Sequence, residues 1–210
     1  MVSLYYAPGA ASMVVHWLLL ELDIPHELHL VDTGAGQQKR PEYLALNPNG
    51  VVPTLVVDGK PMYEAAALAM TLADRHPHAQ LAPASDDPRR ADYTQWMFHL
   101  ANAVQPLFRS WWYPQEPAGA ENADRVREAV QPRIEAAWAR IDAHLGAHGP
   151  YLLGAQASVA DFYLTMLMRW ARNLPRPATD WPHLAELARR MKARPSFRLL
   201  YASEQLTEWA

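Results

Sequence analysis

At 210 residues, half of them hydrophobic, the chain is long enough for one large domain or two small ones with sizeable cores. It has no cysteine, which excludes disulfides, thiolate metal sites and a protein thiol nucleophile. The formal net charge of -3 gives no electrostatic reason to expect nucleic acid or an anionic membrane as a partner.

Val2 to Tyr6 (V-S-L-Y-Y) is β-branched and aromatic and runs into Pro8-Gly9, which predicts a strand and a tight turn. Met13 to Leu22 predicts a buried helix, stopped by Asp23-Ile24-Pro25. His16 and Glu21 break that run well short of the roughly 18 apolar residues of a membrane span. No basic segment precedes a cleavable apolar core, so the expected location is cytoplasmic. His26 to Asp32 alternates with period two and puts Leu28 and Leu30 on one face of a strand. A short irregular helix follows around Q-Q-K-R-P-E-Y-L-A-L, then two strands meet at Asp58-Gly59, a hairpin signal. Glu64 to Arg75 is helical, and the order becomes β-α-β-α-β-β-α.

Composition changes at His76 to Pro88, where strand signals stop. The division expected is an α/β domain over 1–79, a linker over 80–87 and an all-helical domain over 88–210. Asp87 and Pro88 supply a helix cap and a first-turn proline. A long helical segment runs on towards Trp112 with a kink expected at Pro106, and a second covers Ala123 to Leu145. Further helices are predicted over Ser158 to Arg172, Trp181 to Ala193 and Ser196 to Leu206.

Three motifs carry chemistry or its imitation. In N-P-N-G-V-V-P-T-L, Asn47 to Leu55, a turn leads into an extended segment with Pro53 at its start. A cis Val52-Pro53 bond leaves the Val52 backbone free to pair with a peptide-like ligand; a trans bond makes an ordinary strand start. In Y-E-A-A-A, Tyr63 to Ala67, Glu64 and Ala65 open a helix whose first N–H groups carry partial positive charge. Those groups can take a carboxylate while Glu64 takes an ammonium, or Glu64 can serve its own helix end alone. In S-V-A-D, Ser158 to Asp161, the spacing is that of a capping box, and the structural reading is preferred.

With L-Y-Y-A-P-G-A-A-S and Y-E-A-A-A-L, these motifs fall in the order and spacing of the soluble glutathione transferases. The chain resembles that family along nearly its whole length, and most closely its bacterial beta class. The resemblance implies a thioredoxin-like α/β domain followed by an all-α domain, a homodimer, and glutathione as co-substrate for a small hydrophobic electrophile. It further implies that Pro53 is cis, that Val52 pairs with the cysteinyl part of glutathione, and that Glu64 and the Ala65 N–H hold its γ-glutamyl end. Gln38 or Lys39 is the candidate for the glycine carboxylate.

Beta-class enzymes carry a cysteine in the first turn, where this chain has Ala11 followed by Ser12. A thiol with a pKa of about 8.5 needs roughly 2.7 kcal/mol of preferential thiolate stabilisation to fall by two units. A hydroxyl donating to an ion supplies about 1.5–3 kcal/mol, and a helix N-terminus about 0.3–2. Ser12 at the helix start and Tyr6 at the end of the strand are therefore the catalytic candidates, Ser12 preferred because it adjoins the position of the missing cysteine, against the plain alternatives of an N-cap and a strand aromatic. Where relatives place a histidine in the helical domain, this chain has Gln105, with Asn102 on the same face; glutamine donates a hydrogen bond but is no general base. Phe108, Arg109, Trp111, Trp112 and Tyr113 are either a co-substrate wall or core. None of the nine histidines falls in a metal-binding pattern. The expected activity is conjugation of glutathione thiolate to electrophiles; the alternative is a ligand-binding or interaction protein with little turnover.

Overall fold

β1 (Val2–Tyr6) runs beside β2 (Glu27–Leu30) and β3 (Thr54–Val57) in a computed structural model that describes residues 1–209. With β4 (Lys60–Tyr63) they form one sheet in the order β2-β1-β3-β4. β1 and β2 are parallel, and α1 (Ser12–Glu21) makes the crossover that a parallel pair requires. The β1–β3 and β3–β4 pairs are antiparallel. Asp58 and Gly59, both at positive φ (50° and 78°), close the tight β3–β4 hairpin.

Every residue of α1 from Ser12 to Leu19 is buried, since it packs on β1, on α3 (Ala65–Arg75) and on α10 (Pro195–Ser203). A helix enclosed in this way is apolar nearly all round, and its two buried polar side chains, Ser12 and His16, are hydrogen-bonded. α3 buries Leu68, Ala69, Leu72 and Ala73 at helical spacing. α2 (Pro41–Leu44) follows a 3-10 turn at Gln37–Lys39. β2 departs from its pattern: Leu30 is 60% exposed, because this strand lies at the edge of the sheet.

The helices of the second unit are α4 (Arg90–His99), α5 (Gln105–Trp112), α6 (Gln115–Ala118), α7 (Ala123–His148), α8 (Val159–Trp170) and α9 (Pro182–Lys192). α4 begins two residues later than Asp87-Pro88 suggested; the Asp87 carboxylate receives the Arg89 N–H at 2.8 Å instead. Pro106 falls in the first turn of α5, directly after a π-helical stretch at Leu100–Val104. The wider turn makes room where proline lacks an N–H and crowds the carbonyl four residues back. Trp138, Tyr93, Phe108 and Phe162 form the bulk of this core.

The expected fold, a thioredoxin-like mixed sheet with helices and then an all-helical part, is the one observed. Two compact units result: Met1–Ala82 together with residues 192–209, and Pro83–Met191. This division differs from 1–79 and 88–210 at the C-terminal end. Trp17 Nε1 donates to Ser196 Oγ at 2.8 Å, and Glu21 on α1 pairs with Arg194 and accepts the Ser196 hydroxyl. Amphipathicity predicts that α10 buries a face, but does not say that α1 receives it.

Candidate functional site

Strand register brings the candidate residues of the first unit to one end of the sheet. Tyr5 pairs with Thr54 and Thr54 with Tyr63, so Tyr6, Pro53 and Glu64 are the next residues along three adjacent strands. The Val52–Pro53 bond is cis. Val52 is only 8% exposed, and neither its N–H nor its C=O has a partner among the described residues. Buried main-chain groups are nearly always paired, so these two are an open acceptor and donor. The side chain of Val52 packs with Ala7, Val31 and Tyr43. The preceding turn is braced: the Val51 carbonyl accepts from Tyr43 O–H at 2.8 Å and from Asn47 Nδ2 at 2.7 Å. Gly50, at φ +60°, allows the chain to pass Lys39 and the Gln38 carbonyl, where a Cβ would meet atoms within 2.9 Å.

Glu64 stands at the junction of β4 and α3 with φ +73°, a region that residues with a Cβ seldom occupy. Strain of this kind persists where function or neighbours demand it. Its carboxylate is exposed and makes no hydrogen bond among the described residues. The first helical bond is Leu68 N–H to the Glu64 carbonyl, so the N–H groups of Ala65, Ala66 and Ala67 have no partner there. A carboxylate acceptor site thus adjoins an ammonium acceptor.

The Pro8-Gly9 turn differs from expectation in its hydroxyls. Ser12 is fully buried, donates to the Ala7 carbonyl at 3.1 Å and accepts the Ala7 N–H at 3.2 Å. Both functions of the hydroxyl close the turn, and neither is directed to a ligand. The N–H groups of Ala11 and Ser12, at the start of α1, have no partner among the described residues. Tyr6 is half-buried and its hydroxyl is unbonded among the same residues. Burial, and then the charge of Glu204, hold its pKa above the ordinary phenol value, which keeps the O–H as a donor. Ser12→Ala leaves the buried Ala7 N–H unpaired. It should lower unfolding stability by about 1–3 kcal/mol in urea while glutathione affinity stays within about threefold of wild type. Loss of thiolate formation without loss of stability would contradict this assignment.

Gln38 donates Nε2–H to the Thr33 carbonyl at 3.2 Å, while its Oε1 is enclosed without a partner. The Lys39 ammonium donates to the Asn49 carbonyl at 3.3 Å. In the second unit, Asn102 is exposed on the π-helical stretch, and the Gln105 side-chain carbonyl accepts the Tyr163 hydroxyl. Phe108 is core, packed on Trp138 and Trp170 within 6.1 Å, which removes it from the co-substrate candidates. Trp112 and Tyr113 are exposed, with the Arg109 guanidinium over the Tyr113 ring at 4.1 Å. Sequence reasoning passed over Glu204 and Tyr43; for Glu204 the signal was His16, a polar residue in an apolar helix.

Two family profiles match the chain: "Glutathione S-transferase, N-terminal domain" over residues 10–75 and "Glutathione S-transferase, C-terminal domain" over residues 124–201. The glutathione S-transferase GST-4.5 of Xanthomonas campestris pv. campestris is 36% identical over 174 residues, 81% of this chain and 82% of its own. Among solved structures, BphK, a bacterial transferase, superposes with a TM-score of 0.87 at 32% identity, covering 97% of this chain and 100% of that one. A transferase homologue from Sulfitobacter, solved with bound glutathione, superposes with a TM-score of 0.89 at 26% identity over 98% and 99%. The chain belongs to the glutathione S-transferase family.

Proposed function

We propose that this protein binds glutathione at the end of its sheet, stabilises the thiolate there and conjugates it to a small hydrophobic electrophile. The observation that carries this reading is the main chain of Val52, buried and unpaired beside the cis Pro53. A tripeptide supplies the donor and acceptor those groups require, as an added strand would. Glu64 and the free N–H groups at the start of α3 suit the ammonium and carboxylate of a γ-glutamyl group. Gln38 and Lys39 are the candidates for the opposite carboxylate, as the N–H donors of this segment: the Gln38 amide nitrogen and the Lys39 ammonium.

For the thiolate, the geometry favours the Tyr6 O–H with the N–H groups of Ala11 and Ser12 over the Ser12 hydroxyl, whose bonds are spent on Ala7. A neutral phenol and a helix N-terminus together can supply the roughly 2.7 kcal/mol that two units require. With Ala11 in the turn and no cysteine in the chain, a mixed disulfide with the protein cannot form. The homodimer and the cytoplasmic location implied by the family are part of this proposal. Among the described residues no helix is long and apolar enough to cross a membrane.

Retention on immobilised glutathione with turnover of a chloronitrobenzene tests the reading. Retention without turnover turns it into ligand binding, and absence of both removes it. Tyr6→Phe should raise the bound thiol pKa by about one to two units and lower kcat about tenfold or more, read by thiolate absorbance and initial rates. A pKa unmoved by the substitution leaves the work to the backbone N–H groups alone.

A further inference from the structure

Glu204 follows the last turn of α10 and is 3% exposed. Its Oε2 accepts the Gly9 N–H at 2.7 Å, and its Oε1 faces Nδ1 of the fully buried His16 at 2.8 Å. A carboxylate only accepts, so Nδ1 carries the proton of that bond. His16 Nε2 has no partner, and the ring lies 5.8 Å from that of Tyr6 and 5.5 Å from that of His26. Burying a carboxylate is costly, and its two oxygens are committed to two elements of one small region. Gly9, at φ +66°, is the apex of the turn that leads into Ala11 and Ser12. Ser12 ties the start of this turn through Ala7, and Glu204 ties its apex.

We propose that Glu204 is a positioning residue for the thiol turn, so that the C-terminal segment completes the glutathione site. It touches neither the thiol nor the electrophile. It acts through the Gly9 amide on where the Ala11 and Ser12 N–H groups point. The His16 contact holds the carboxylate in the orientation that reaches Gly9. This rests on the reading of those N–H groups and Tyr6 as the thiolate's donors.

Glu204→Ala, Glu204→Gln and Glu204→Asp are compared in the full-length protein. The readouts are glutathione Kd by calorimetry, bound thiol pKa by absorbance, kcat and KM. Glu204→Ala should raise Kd and KM for glutathione about tenfold and the bound thiol pKa by about one unit. Glu204→Gln can still accept the Gly9 N–H, and should keep Kd within about threefold of wild type. Glu204→Asp keeps the charge but withdraws it from Gly9; it should weaken glutathione severalfold, and decides the matter if the alanine variant does not fold. Wild-type Kd and thiol pKa in the alanine or aspartate variant would overturn the proposal. If the wild type itself leaves the thiol at its free pKa, the thiolate reading fails, and the Kd comparison alone then decides the role of Glu204.

Discussion

Asp161→Ala lowers the unfolding free energy by about 3–5 kcal/mol at neutral pH, the largest loss expected from any single substitution considered above. Asp161 is completely buried at the third position of α8, in the capping box with Ser158. Its Oδ2 accepts the Ser158 N–H at 2.8 Å and the Ser158 O–H at 3.0 Å, while Oδ1 accepts the Leu152 N–H at 2.9 Å. Truncation leaves the N–H groups of Leu152 and Ser158 buried and unpaired, at about 1–3 kcal/mol each. It also removes the negative charge from a helix N-terminus. Ser158→Ala, which spares those acceptors, should cost about 1 kcal/mol.

The same carboxylate gives a pH signature. Burial pushes its pKa from 3.8 to about 6, against the hydrogen bonds from Leu152 and Ser158 that lower it. The native state therefore holds the proton more tightly than the unfolded chain. The resulting contribution to stability is complete below 3.8 and is lost as pH rises through about 6. Asp161→Asn carries no such titration. The stability of wild type relative to Asp161→Asn should accordingly fall by about 3 kcal/mol between pH 4 and pH 7, at about 1.36 kcal/mol per unit. Urea denaturation of both proteins across that range measures it, and a flat difference would show that Asp161 does not titrate there.

Glu64→Ala should weaken glutathione binding by about 10- to 100-fold, since a hydrogen bond to an ion contributes about 1.5–3 kcal/mol. Global stability should change by less than about 1 kcal/mol, because the side chain is exposed and makes no hydrogen bond among the described residues. Glu64→Gly separates binding from backbone strain. At φ +73° a side chain costs about 1–2 kcal/mol, and glycine relieves much of that while adding freedom to the unfolded chain. The glycine variant should bind as poorly as the alanine variant yet melt at the same temperature as wild type or higher. Calorimetric titration with thermal unfolding reads both. Wild-type affinity in Glu64→Ala would end the assignment of this carboxylate to the γ-glutamyl ammonium.

Features decided by neighbours along the chain are legible in the residues alone. The β-α-β-α-β-β-α order, the Asp58-Gly59 hairpin and the Ser158–Asp161 box rest on periodicity, turn chemistry and capping, all within a few residues. The motifs N-P-N-G-V-V-P and Y-E-A-A-A mark the turn before β3 and the junction of β4 with α3 for the same reason. Other features depend on contacts between segments far apart in the chain. Whether Ser12 faces a ligand or Ala7 depends on how a buried hydroxyl satisfies itself, and both outcomes suit a helix start. Phe108 fits a core or a pocket wall equally until Trp138 and Trp170 are seen against it. Glu204 is 195 residues from Gly9, and nothing in the pattern of α10 says that its end reaches back to that turn. Hydrophobic spacing specifies which face a helix buries, whereas the partner of that face, and of any single buried carboxylate, is chosen by the packing of the whole unit.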